Sequence, residues 1–590
     1  MKTQSARQPP QLSLISASDI AQKLNIKRAP IERKIKELEL KRNRYEIRWR
    51  AIRDYQLPYI GQFNGLDDED NAASRKDYHI YNGCSWECNQ IFASGVMSGL
   101  TPPSRKWFRF NFANKELEDN TELGRLLDQR IDIVNDVLEK SNFYTAVHSC
   151  YLELAFGQAP LGIFPDARYG VHFVPYTTGT YMLENGPDGT VDVFAMRKQM
   201  SARQIVDKFG AENAPAYIRN ELDNGPGFRR SHKVIWYVEP NTYGNPLELG
   251  GFNLPYLSVY YVEGSEQDSF LHIGGFHEFP VPVARYLLTG NDSYGKGPGW
   301  FAEGDSKSLQ LMQKDLLTMV ELTVKPPMGA TADLGGKGIN LVPGGKTYMR
   351  QQGAITPLFQ VGGNLEHLQS AISTLEGRIK RAYSADLFMM LDQMDNKTMT
   401  AREVIERNQE KMTMLGPVVQ RMQFEFLSKI IERVYNILDR ARVFPEPEDE
   451  ELLQQLAREE IKIEYISPLA QAQKMSGLVN IEQAIGFIAN AAQFNPDILD
   501  KVDWNEAVNR YFELLGAPAA IKRTDDEYSA IQEQKAEQQA QAQQMQQMQQ
   551  AAQMAAPAAQ AAKNATEAAR DGNPALMQIM GMDDLGYGQQ

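Results

Sequence analysis

The chain has 590 residues, long enough for several domains or one large elaborated subunit, and its 42% hydrophobic and 23% charged residues are those of an ordinary globular protein. Its 62 basic residues against 75 acidic ones leave a net charge of -13, which argues against a wide surface that grips nucleic-acid phosphates. An acidic wall would repel phosphates, although charge alone equally fits plain solubility.

The opening stretch, residues 1–20, is polar with scattered Lys and Arg, so no signal peptide is expected there. No long apolar run occurs anywhere, so no membrane insertion is expected. Residues 30–53 read as a helix, with Ile31, Ile35, Leu38, Tyr45, Trp49 and Ile52 on one stripe suited to packing. Pro58 supports a stop after it, and residues 61–77 read as an acidic loop. Residues from 80 begin helix-like, and the small Ala93, Ser94, Gly95, Ser98 and Gly99 permit close packing. Pro102 and Pro103 end that helix, and Trp107, Phe108, Phe110 and Phe112 then alternate as a strand. Residues 121–157 read as a helical pair.

Between about 160 and 290 β-branched and aromatic runs predict strands, in an α+β or small-barrel arrangement. One short helix interrupts them, opened by a Ser201–Gln204 capping box and closed by Gly210. A long helix is expected over 304–325, ended by Pro326 and Pro327. The glycine-rich stretch 328–363 suggests strands and turns, and 365–391 a second helix, so that two long helices bracket a compact module. After a polar loop at 392–399, a capping box at Thr400–Glu403 opens a helix to about Val443, which Gly416-Pro417 should kink or break. Residues 450–516 read as helical, and 531–560 as a Gln/Ala/Met tail, either disordered or helical only in company.

Motifs for chemistry are weak. Gly345-Lys346-Thr347 would need a glycine five residues earlier to form a phosphate-cradling loop, and that position is Asn340. His79, Cys84 and Cys88 lack a further ligand for zinc, and His148 with Cys150 lacks an orienting third residue. Three cysteines are also too few, and odd in number, for a disulfide framework; they suit a reducing compartment. No compact acidic cluster suggests a two-metal nuclease. The sequence is therefore read as that of a non-enzyme without cofactor or metal.

The segment IFASGVMSGLTPPSRKWFRF (91–110) resembles the head-to-tail connecting proteins, or portal proteins, of short-tailed, T7-like phages. RWRAIRDYQLPYIGQF (48–63), YTAVHSCYLELAFGQAPLGIFPD (144–166) and NDSYGKGPGW (291–300) resemble further pieces of that family in the same order, over roughly residues 30–445.

That resemblance implies a mainly helical α+β portal fold in a ring of about twelve copies at one capsid vertex. It implies an N-terminal arm (1–29), a wing (30–298), a first stem helix (299–325) and a clip (326–364). A second stem helix (365–391), a tunnel loop (392–400), a long kinked wing helix (401–445), a crown (446–520) and the tail (521–590) would follow. The clip, with Asp333, Lys337, Lys346, Tyr348 and Arg350 as candidate contacts, would meet the terminase large subunit and later the tail adaptor and tail proteins. Other partners would be the major capsid and scaffolding proteins and double-stranded DNA, read without sequence preference. In the channel the candidates are Lys397, beside Asp392, Met394, Asp395 and Asn396 in the loop, and the stem residues Lys307, Lys314, Lys380 and Arg381. For each of these a solvated or intersubunit charge is the competing reading. Another capsid or scaffolding protein remains the rival function, and a packaging ATPase or nuclease a remote one.

Overall fold

The computed structural model describes residues 16–63, 79–112, 121–224, 231–244, 253–330 except 267, 340, 355–358, 365–392, 415–445 and 461–466, with short pieces beyond, of which 531–545 is the longest. The chain divides into two compact units, the first 1–114 with 126–516 and the second 115–125 with 517–590.

In the first unit, α1 (Ala17–Lys23) starts at a Ser16–Asp19 capping box, which satisfies two otherwise orphaned N–H groups. α2 (Arg28–Tyr55) is the predicted amphipathic helix, longer at both ends. Its apolar stripe of Ile31, Ile35 and Leu38 packs on one face of an antiparallel five-stranded sheet of order β4-β5-β6-β7-β8. The strands are β4 (Tyr181–Asn185), β5 (Val191–Ser201), β6 (Ser231–Pro240), β7 (Tyr256–Val262) and β8 (His272–Phe276). Alternation along β6 and β7 sends Ile235, Tyr237, Val259 and Tyr261 toward α2, and all four are buried. Arg197 reaches Glu39 of α2 through two hydrogen bonds of 2.7 and 3.1 Å, and this contact holds the Glu39 carboxyl below the usual carboxylate range.

The opposite face of the sheet is covered at one end by α6 (Ala202–Phe209) and α7 (Ala216–Asn224), the latter absent from the sequence reading. A second sheet, β3-β2-β9, joins β2 (Gln158–Asp166), β3 (Gly170–Pro175) and β9 (Val283–Arg285). β2 and β8 were not anticipated, because Pro160 and Pro165 in one and Gly274-Gly275 in the other dilute the strand pattern. Both sheets are open among the described residues, so of the two expected arrangements the α+β one holds and the small barrel does not.

α3 (Cys84–Leu100), α4 (Thr121–Lys140) and α5 (Phe143–Glu153) follow the predicted pattern. Gly95 is required by packing, since a Cβ there would fall 2.2 Å from the Phe388 ring. Trp107 is fully buried, its ring parallel to Phe143 at 6.1 Å and to Tyr465 at 6.4 Å. Tyr465 exposes a correction: 450–516 was read as helical, yet β12 (Ile461–Tyr465) pairs antiparallel with β1 (Phe108–Phe112). The alternation Ile461, Ile463, Tyr465 carries a period of two that surrounding helix formers obscure. Residues 446–460, and most of those beyond 466, lie outside the described residues.

The second unit, taken by itself, contains the helical stretch 531–545, almost wholly exposed, so helix is the outcome over that part of the tail.

Candidate functional site

α8 (Pro298–Val324) and α9 (Leu365–Ala382) form the expected pair of long helices. Three glycines explain how α8 is launched. Gly297, at the N-cap, lies so near the Leu154 carbonyl that a Cβ would sit 2.1 Å from the oxygen. Gly295 and Gly157 pack backbone to backbone, where a Cβ on either would meet the other's carbonyl oxygen within 2.2 Å. Pro298 at the first helical position needs no N–H there, and Trp300 Nε1 donates to the Phe156 carbonyl at 2.8 Å. The segment 291–300 is therefore a backbone junction, with no reactive group exposed.

Farther along, Gln310 anchors α8. Its Oε1 accepts from the N–H groups of Tyr81 and Asn82 at 2.7 and 2.9 Å, and its Nε2 donates to the Asn82 carbonyl at 2.8 Å. Buried Tyr383, just after α9, donates to Gln56 Oε1 at 2.8 Å, and Gln56 Nε2 donates to the Gly299 carbonyl at 2.9 Å. These satisfied buried polar groups fix the bases of both helices to α2 and α3. The predicted helix 365–391 is broken at Ser384, whose φ of +54° turns the chain into α10 (Ala385–Asp392). A side chain in the left-handed region is costly, and the turn lets Phe388 reach Gly95.

The distal half of α8 is different. Beyond Gln310 no residue of α8 is buried, and Leu311, Leu317 and Val324 are 60%, 51% and 71% exposed. Of the predicted stripe, Leu309 is buried, Met312, Leu316 and Met319 are half-buried, and Val320 and Thr323 are exposed. α8 and α9 are joined past their ends by a short antiparallel ladder, β10 (Met328–Ala330) with β11 (Ile355–Pro357), which supports the expected hairpin-like module.

The channel candidates disperse. Lys307 pairs with Glu303 at 2.7 Å and lies 5.6 Å from the Tyr55 ring; Lys314 lies 6.0 Å from the Tyr81 ring. Lys380 is half-buried near Cys84 and Cys88. Arg381 is exposed and donates to the Gly377 carbonyl at 3.2 Å. The four do not form one cluster. Met394, Asp395, Asn396 and Lys397 lie outside the described residues, as do Asp333, Lys337, Lys346, Tyr348 and Arg350; Asp392 ends α10, and its side chain is likewise outside them.

Two arginines that sequence reasoning missed tie the end of the long helix to the β-rich region. Residues 415–421 are helical through Gly416 and Pro417; the irregularity comes later, as a π-turn at Met422–Leu427, before α11 (Ser428–Arg440). The expected kink or break at Gly416-Pro417 concerns the chain entering from 401–414, which lie outside the described residues. The π-turn carries Glu425, whose Oε2 accepts from Nε of fully buried Arg285 at 2.7 Å. Arg285 also donates to Asn185 Oδ1 at 2.9 Å and to the Gly189 carbonyl at 2.7 Å. On α11, Arg433 donates to the carbonyls of Ile163 and Glu278 at 3.0 and 2.9 Å, and burial lowers its guanidinium pKa to about 10. No sequence motif announces such anchors, because arginines usually read as surface charges.

The cysteines offer no site. Cys84 and Cys88 are buried with sulfurs 3.9 Å apart on one helix face, His79 stacks on Tyr55, and no metal-binding cluster occurs among the described residues. Burial pushes the Cys150 thiol up, away from the thiolate a nucleophile needs. No helix among the described residues is long and apolar enough to cross a membrane.

Residues 28–522 match the profile described as bacteriophage head to tail connecting protein. The chain belongs to that family. It is a portal protein, a structural, non-enzymatic component of the virion at the head-tail junction. It is 33% identical over 511 residues to the portal protein of Salmonella phage epsilon15, covering 86% of this chain and 90% of that one. It is 30% identical over 510 residues to the probable portal protein of Bordetella phage BPP-1, with the same coverages. Among solved structures, the neck of an empty gene transfer agent particle overlays with a TM-score of 0.32 at 10% identity, over 68% of this portal chain and 86% of that one.

Proposed function

We propose that the protein forms a closed ring of about twelve copies, of the kind found in short-tailed, T7-like phages, through which the genome is packaged and ejected. The observation that carries this reading is the distal half of α8, where Leu317, Val320 and Val324, spaced three and four apart, are exposed on one face in the single chain. A contiguous apolar helix face calls for cover, and identical neighbours around a ring supply it on every copy. In this reading 30–298 is the wing and 299–325 with 365–391 the stem. The module 326–364 is the clip, 392–400 the tunnel loop, 401–445 the long wing helix and 446–520 the crown.

The clip docks the terminase large subunit first and the tail adaptor later, with Asp333, Lys337, Lys346, Tyr348 and Arg350 as contacts. The rim of the ring meets the major capsid, scaffolding and tail proteins. Lys397 approaches phosphates, with Lys307, Lys314, Lys380 and Arg381 as lesser candidates. A net charge of -13 keeps the lumen from gripping DNA, so sliding in both directions is favoured.

Native mass with single-particle top views tests the ring. Twelve chains of 66.6 kDa come to roughly 800 kDa with a central hole; a stable monomer or an open shell-like assembly defeats the reading. Lys397→Ala should form normal rings but package or retain DNA poorly; wild-type packaging and retention in that variant would remove the residue from the channel.

A further inference from the structure

The sheet face away from α2 is covered at its ends and open in the middle. There lies a cleft of about 1050 Å³ bounded by α6, β3 and the strands β5 to β8. Strand register sets out its floor in rows. One row crosses the sheet as Met196, Trp236, Tyr260 and His272, and the next as Phe194, Val238, Ser258 and Gly274. Trp236 and Tyr260 stack at 5.6 Å with planes 7° apart, and Trp236 Nε1 donates to Ser258 Oγ at 3.0 Å. Ser258 brings little bulk to the second row, and the His272 ring lies over Gly274, where a Cβ would fall 2.8 Å from its Nε2.

The cleft is polarised along the strands. At one end stand Lys198 of β5 and Lys208 of α6, the latter 4.9 Å from the Tyr260 ring. At the other end Phe164, Tyr176 and Phe276 make an aromatic wall, with Phe164 5.7 Å and Tyr176 6.1 Å from Trp236. Neither lysine has a carboxylate within ion-pair distance among the described residues, and no Asp or Glu lines the cleft. In a chain of net charge -13, a carboxylate-free cleft with two uncompensated cations is an anomaly of charge.

Lys208 has its ammonium pKa lowered, first by burial of its head group and then by Lys198. His272 is likewise lowered by burial and by Lys208. An incoming carboxylate would relieve both effects.

β8 is the outer strand of its sheet, pairing with β7 alone among the described residues, and Gly274-Gly275 place no side chain of their own beside the cleft. An outer strand next to a pocket suits an extended peptide, whose main chain follows the strand while alternate side chains enter the pocket.

We propose that this cleft docks an extended acidic segment of another virion protein. An aromatic or leucine side chain of that segment lies on the Trp236–Tyr260 floor, and its carboxylates face Lys198 and Lys208. Charge complementarity selects the class: the cations sit at one end only, opposite an apolar anchor site, whereas a nucleic-acid strand would need cations along its whole path.

The test uses the full-length protein and a fluorescein-labelled peptide with a Leu-Phe end followed by a run of Asp and Glu, read by fluorescence anisotropy. The peptide should bind, lose affinity as salt is raised, and bind at least about tenfold more weakly to Lys198→Glu/Lys208→Glu. Tyr260→Ala, which removes part of the apolar floor without removing a charge, should weaken it comparably, and native mass checks that both variants assemble as the parent does. Any of the following overturns the proposal: no binding, equal binding of the amide-substituted peptide, unchanged affinity in both variants, or displacement by a short oligothymidylate, which would assign the cleft to nucleic acid. Binding seen only after deletion of residues 64–72 would assign it instead to the chain's own acidic run, and would overturn it equally.

Discussion

The β-rich body and the α8–α9 pair are built from similar proportions of apolar residues and treat them in opposite ways. In the body, α2 and the five-stranded sheet bury Ile31, Ile35, Ile235, Tyr237 and Val259 against one another, so one chain completes that core. In the helical pair, burial stops at Gln310, and Leu317 and Val324 face outward. The contrast teaches that stability and assembly are separable in this chain: the body completes its own core, whereas the distal half of α8 leaves an apolar face that a neighbour would cover in the proposed ring.

The comparison breaks most sharply at the links inside the body. Arg285→Ala removes the nearer of Glu425's two cationic partners, leaving Arg421 at 3.8 Å, and should cost about 3 kcal/mol, read as a lower denaturation midpoint. Arg285→Met, which keeps the volume, still leaves Glu425 without that partner; it should fall between the alanine variant and the parent if packing contributes beside charge. Next comes Gly95→Ala, whose Cβ meets the Phe388 ring; the shift it forces should cost about 1–3 kcal/mol by the same measurement.

Glu39→Gln removes the charged fork to Arg197 and should cost about 1 kcal/mol after allowing for partial exposure of the pair. Because the folded state lowers the Glu39 pKa, its contribution is complete above the unfolded value near 4.5 and is lost as pH falls through the folded value. The gap between parent and Glu39→Gln should therefore close in acid; a gap that persists there would assign the effect to packing. The smallest effect on the fold, with the largest on assembly, is expected of Leu317→Asp/Val324→Asp. Exposed sites away from special features shift stability by only about 0.5 kcal/mol, so the midpoint should hardly move while native mass falls toward the single chain.

Some of this was legible in the residues themselves. The stripe on α2, the capping box at Ser201, the alternation in β6 and β7 and the proline stop after α8 are local signals, and they produced the elements they predict. The glycines of 291–300 were legible as a motif, whereas their reason, close approach to the backbone of 154–157, was not. β12 was misread because its partner β1 lies more than three hundred residues away, and no local pattern encodes a distant partner. Lys307, Lys314, Lys380 and Arg381 were chosen for charge alone, and charge gives no direction; Lys307 turns to Glu303 and Lys380 toward two cysteines.

The sequence by itself determined most helices and strands, the absence of a nucleotide loop, and, through the segments at 48–63, 91–110, 144–166 and 291–300, the resemblance to portal proteins. Only the tertiary structure decided that Arg285 and Arg433 hold the π-turn and α11 to the β-rich region, that a cleft opens over Trp236 and Tyr260, and that α8 is covered for half its length. The physical reason is range. Helix and strand preferences act over a few neighbouring residues, while burial, ion pairing and the opening of a cleft depend on which distant elements meet.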